Sequence, residues 1–99
     1  MGRRKISIRK NAAESIAAVA LYIESKGMVA TAEKFTDDVY DFIVSLSDTI
    51  KSFAPCRDAL RRTMGYKCVP FRKKYTIAFI ETDEELLICE FISSKRIHW

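Results

Sequence analysis

The stretch that decides the fold begins Tyr66-Lys67-Cys68-Val69-Pro70-Phe71-Arg72-Lys73-Lys74-Tyr75 and continues Thr76-Ile77-Ala78-Phe79-Ile80-Glu81. A short acidic connection, Thr82-Asp83-Glu84, leads into Glu85-Leu86-Leu87-Ile88-Cys89-Glu90-Phe91-Ile92, and the chain finishes Ser93-Ser94-Lys95-Arg96-Ile97-His98-Trp99. Aromatic and β-branched residues in alternation fit a half-buried pleated surface, so three successive extended runs predict an antiparallel meander. Pro70 has no N–H for a ladder and belongs on an edge strand. In the middle run, Ile77 and Phe79 oppose Ala78 and Ile80, so both faces are apolar and the strand is expected in the interior of the sheet. Basic side chains gather before the second run and after the third.

Working back from this meander, Lys5 to Arg9 alternates Ile6 and Ile8 with polar residues, the pattern of a short half-buried strand. Asn11 stands three residues before Glu14 in the manner of a capping box. Ile16, Val19, Ala20 and Ile23 then repeat with helical spacing, and Gly27 suits a left-handed stop, predicting a first helix over about 12–26. Thr31 is positioned to cap a second helix, whose apolar face is Phe35, Val39, Phe42, Ile43, Leu46 and Ile50. So short a link makes the two helices an antiparallel hairpin. Pro55 and Gly65 break the pattern, leaving 51–65 as a loop with one short helical turn. The expectation is a single α+β domain over 1–99, in the order β-α-α-β-β-β, with the helical hairpin packed on a mainly antiparallel four-stranded sheet.

The net charge of +4 is unevenly spread. Residues 1–10 carry +5, 11–50 carry −5, 51–76 carry +7 and the remainder −3. A segregated basic face is the footprint of an anionic partner, and its bland counterpart is an unevenly charged solvated surface. No apolar run reaches the length of a membrane span and no apolar signal-peptide core follows Arg3-Arg4-Lys5, so a cytoplasmic protein is expected, with no membrane partner. Cys56, Cys68 and Cys89 are widely spaced and the chain has one His, which speaks against a metal site and for three reduced thiols. No cofactor is expected.

These residues in this order resemble the RelE/ParE superfamily of toxins from bacterial type II toxin–antitoxin systems, over nearly the whole chain. The points of resemblance are the opening strand and helical hairpin, the Phe53-x-Pro55 loop with Arg57, the Tyr66-Lys67 and Tyr75 pair around the central hairpin, and the Ser94-Lys95-Arg96 exit. The resemblance implies a growth-inhibiting toxin, of the kind associated with plasmid stabilization, silenced by a cognate antitoxin that wraps its sheet and helices. Its target is either mRNA on the ribosome, cut by an mRNA interferase, or DNA gyrase, inhibited without RNA cleavage. A decayed toxin that only binds its antitoxin is a third reading, and an open sheet edge also admits a homodimer.

For the ribonuclease branch, RNA cleavage through the 2′-hydroxyl needs a base, cations for the phosphorane and an acid for the leaving oxygen. By resemblance the catalytic candidates are Lys67, Arg96 and His98. His98 alone has an ordinary pKa near neutrality, although a lone His at a chain end is commonly just exposed. Arg72, Lys73, Lys74 and Lys95 are candidates for phosphate contacts and Trp99 for stacking on a base. The family's ribonuclease pattern is often basic where this chain has Val69, Phe71 and Thr76. The missing arginine at Thr76 and the long helical hairpin speak for the gyrase-directed branch, but the terminal His98-Trp99 pair can stand in for the missing groups. Ribosome-dependent mRNA cleavage by Lys67, Arg96 and His98 is the first expectation by a narrow margin, ahead of gyrase inhibition.

Overall fold

The computed structural model of the chain describes residues 5–47 and 53–96. Its elements are β1 (Lys5–Ile8), α1 (Lys10–Ser25), α2 (Val29–Leu46), α3 (Ala59–Thr63), β2 (Lys67–Phe71), β3 (Tyr75–Glu81) and β4 (Glu85–Ser93), closed by a 3-10 turn over Ser94–Arg96. This is the α+β order read from the sequence, with α3 as the short helical turn of the long loop.

The sheet runs β1-β4-β3-β2. β3 pairs antiparallel with both neighbours, whereas β1 lies parallel to β4, Ile6 opposite Leu86 and Ile8 opposite Ile88. The chain crosses from β1 at one edge to β2 at the other by way of the helical hairpin and α3, and the meander then brings β4 back beside β1. β2 is an edge strand, which is why exposed Pro70 costs no ladder bond. Along β3–β4 the register slips between Ala78 and Phe79: Ala78 faces Glu90 while Phe79 faces Ile88. Cys89 is the extra residue of this bulge, so it and Glu90 both turn toward the face away from α1 and α2.

The two faces carry two cores. Against the helices lie Phe71, Ile77, Phe79, Leu86, Ile88 and Phe91, meeting Ala12 and Ile16 of α1 and Phe35, Val39, Ile43 and Leu46 of α2. Burying one such side chain is worth about 1.5–3 kcal/mol, so this layer dominates the fold's stability. The outer face holds a smaller cluster of Cys56, Tyr66, Cys68, Ala78 and Cys89. β3 is thus covered on both sides, as its two apolar faces require.

Both helices begin differently from the sequence expectation. α1 starts at Lys10 with Arg9 in the cap position, and Asn11 caps nothing. Its side-chain amide instead donates to the carbonyl of Cys89 at 3.0 Å, tying the helix start to the bulge. α2 starts at Val29, two residues before Thr31, with no side-chain cap. Burial of the apolar stripe outweighs a cap worth about 1 kcal/mol. Gly27 does take the left-handed form (φ 82°), its N–H bonding the carbonyl of Glu24.

The cysteine expectation needs correcting. Cys56 and Cys68 form a disulfide, and only Cys89 remains a thiol, fully buried. Phe53 packs edge-on against Phe79 on the helix side, and Pro55 then forms a bridge with Lys67. The segment has therefore rounded the β2 edge, which brings Cys56 onto the outer face with its Cα 4.8 Å from that of Cys68. Spacing along the chain gave no sign of this contact.

Candidate functional site

The end of the sheet at the β2–β3 hairpin is its most basic part. Arg72 and Lys73 form the bend with φ of 54° and 65°, both left-handed without being glycine. Each costs on the order of 1 kcal/mol relative to a right-handed residue. Phe71 pairs with Tyr75, so the bend has three residues, 72–74, and its first two take angles that glycine or asparagine adopts more readily. Arg72 is held by its surroundings: its guanidinium donates to the Asp38 carboxylate on α2 and lies over the rings of Phe71 (5.2 Å) and Phe35 (5.9 Å). Among the described residues, Arg72 is therefore a clamp between hairpin and helix.

The 3-10 turn is fastened beside the hairpin. The Ser94 N–H donates to the Lys74 carbonyl at 2.8 Å, and the hydroxyls of Ser94 and buried Thr76 are hydrogen-bonded at 3.0 Å. Lys73, Lys74 and Lys95 consequently surround an open hollow of about 380 Å³, walled by Tyr75, Ser93 and Ser94. All three lysines are exposed, and among the described residues no acidic side chain lines the hollow. Tyr75 stacks on Phe91 at 5.0 Å and meets Phe35 edge-on. Its half-buried ring also borders a second hollow with Val19, Tyr22, Ile23 and Phe35, rimmed by Arg72 and Lys74. An apolar trough between α1 and the hairpin thus runs into a cationic one.

Of the residues singled out by sequence, Lys73, Lys74 and Lys95 are brought together here, with the backbone of Arg96 in the adjoining turn. Lys67 is elsewhere. It faces Phe79, four residues along β3 from Tyr75 and about 13 Å away. There its amine donates to the Glu81 carboxylate at 2.5 Å. His98 and Trp99 lie outside the described residues.

A separate polar network sits on the outer face and was not anticipated. Arg61 of α3 bridges Asp58 and Glu90, each at 2.7 Å. Burial works against its charge, yet the bonds to Glu90 and Asp58 outweigh this and raise its pKa. Arg9 donates to the Tyr66 hydroxyl at 3.1 Å. Burial pushes that hydroxyl up, helped by the neighbouring Cys89, and burial likewise raises the Cys89 thiol. Both groups are thus kept protonated, which makes Cys89 a poor nucleophile. Among the described residues no cluster of His, Cys, Asp or Glu is arranged to hold a metal, and no helix is long and apolar enough to cross a membrane.

No family model matches the sequence, and no curated protein matches it either. Solved structures do match. One is a chain of the chromosomal ParDE TA (toxin–antitoxin) system from P. aeruginosa, with a TM-score of 0.75 and 13% identity, covering 92% of this chain and 96% of that one. At such identity the likeness is one of fold, and it agrees with the resemblance to the RelE/ParE superfamily drawn from the sequence: this chain has the fold of a protein from a ParDE system.

Proposed function

We propose that the chain is the toxin of a bacterial type II toxin–antitoxin module, and that it stops growth by binding a target, with DNA gyrase the favoured one, rather than by cutting mRNA. The observation that carries the choice is the position and pairing of Lys67. A ribonuclease built on Lys67, Arg96 and His98 needs its cations around one phosphate, but the Lys67 amine is engaged by Glu81 at the opposite end of β2 from the Lys95–Arg96 turn. A pairing of this kind neutralises the charge that a phosphorane needs. The fold shared with a ParDE chain supports the toxin–antitoxin reading that both branches have in common.

The cognate antitoxin fits the trough beside Tyr75. Val19, Tyr22, Ile23 and Phe35 offer an apolar floor, and Arg72 and Lys74 a basic rim. An amphipathic segment with acidic flanks complements both. Lys73, Lys74 and Lys95 form the surface through which the toxin meets its target when the antitoxin is gone.

Expression of the chain alone, with mapping of RNA 5′ ends and recovery of gyrase–DNA complexes, tests this. Growth arrest with trapped gyrase and unchanged RNA ends is expected. New ribosome-dependent mRNA ends would replace the binding reading with the ribonuclease one, and unimpaired growth would leave a decayed toxin.

A further inference from the structure

The Cys56–Cys68 bond closes a loop that holds α3 and almost nothing of the main core. No side chain of α3 is buried. Apart from the disulfide, the contacts that hold the segment to the sheet include the Cys56 N–H to the Tyr66 carbonyl at 3.1 Å, the Tyr66 N–H to the Arg61 carbonyl at 3.0 Å, the Pro55–Lys67 bridge, and Arg61 on Glu90. Beneath lie Ala78 and Cys89, both 0% exposed, and Tyr66. Among the described residues, the helix-side core touches this part of the chain through Phe53, which precedes the closed loop. We propose that Cys56–Cys68 is a redox clasp: oxidised, it fixes the segment from Cys56 to Gly65 over the outer face, and reduced, it releases that segment while the helix-side core stays folded.

The step is ordinary thiol–disulfide exchange with a cellular thiol such as glutathione. The reductant's thiolate attacks the sulfur of Cys68, the less deeply buried residue of the pair, forming a mixed disulfide as the Cys56 sulfur leaves as thiolate and takes up a proton. A second reductant thiol then resolves the mixed disulfide. Overall two electrons and two protons pass to the protein, and the reductant leaves as its own disulfide. A bond whose loss frees only a local unit suits a switch, because local opening costs less than global unfolding. Arg57, Arg61 and Arg62 all lie inside the closed loop and report on its mobility as trypsin sites.

The full chain is equilibrated in glutathione buffers from reducing to oxidising, its free thiols are counted by alkylation and mass, and it is treated with limiting trypsin. The Cys56→Ser/Cys68→Ser double variant runs alongside. The disulfide is expected to titrate within the glutathione range. The reduced chain and the double variant are expected to be cut after Arg57, Arg61 or Arg62 about tenfold faster than the oxidised chain. Both are expected to keep a cooperative thermal transition. The proposal is overturned if the bond stays closed throughout the buffers, if trypsin cuts all forms alike, or if the reduced chain and the double variant lose their cooperative transition. In the last case the bond is a structural staple.

Discussion

Lys67 and Glu81 meet across the end of the β2–β3 ladder, with the carboxylate side chain 9% exposed and the amine's 31%. The pair sits where the chain has rounded the β2 edge, beside the Pro55 bridge, and it spends a cation that a ribonuclease would aim at RNA. Replacing Lys67 with Met removes the Lys67–Glu81 ion pair, which is partly buried, and costs about 1–3 kcal/mol of stability. Growth inhibition at permissive temperature is expected to persist. Urea unfolding and a plating assay read the two effects separately, and loss of toxicity in a stably folded Lys67→Met chain contradicts the binding account.

The cationic hollow gives the opposite pattern. Lys73, Lys74 and Lys95 are exposed, so reversing all three to Glu is expected to change stability by only about 0.5 kcal/mol at each site. Toxicity is expected to vanish, since the surface proposed to meet the target has changed sign. A charge-reversed chain that melts normally and still arrests growth removes these lysines from the interface.

Hairpin strain predicts a gain in stability. Lys73→Gly relieves a left-handed residue (φ 65°), and the chain is expected to become about 0.5–1 kcal/mol more stable. The larger entropy of glycine in the unfolded chain offsets part of the gain. Arg72→Gly is expected to destabilise instead, because it also removes the clamp on Asp38 and the stacking on Phe71 and Phe35. Denaturant midpoints of the two variants should move in opposite directions.

Stability is expected to fall at alkaline pH. Burial raises Cys89 from an ordinary 9.0 and Tyr66 from 10.0. The folded chain therefore holds protons that the unfolded chain releases first. Their contribution is whole below about pH 9 and is lost as pH climbs through the raised values. A Cys89→Ala/Tyr66→Phe variant is expected to flatten the fall between pH 9 and 11, as followed by thermal melting at stepped pH.

Much of this fold is legible in the sequence because its elements follow hydrophobic period. Ile16 and Ile23 mark one helix, Phe35 to Leu46 the other, and Ile77/Phe79 against Ala78/Ile80 mark the doubly covered strand. Gly27 takes the left-handed position expected of it, φ 82°, and Gly65, read as a break before the sheet, is left-handed as well, φ 79°. What escaped depends on tertiary contact. The β1–β4 parallel pairing, the Cys89 bulge, the Asn11 bond to Cys89 and the Cys56–Cys68 bond each join residues far apart in sequence. For the site, composition pointed to cations near the hairpin, and Lys73, Lys74 and Lys95 do converge. It could not reveal that Asp38 engages Arg72 or that Glu81 engages Lys67, because a carboxylate in a neighbouring element leaves no local signature.

The central claim is tested most directly by supercoiling of relaxed plasmid by DNA gyrase in the presence of increasing purified chain. The account predicts that supercoiling fails as the chain is added and recovers when it is exchanged for the Lys73/Lys74/Lys95→Glu variant. Undiminished supercoiling at saturating amounts of folded chain contradicts it.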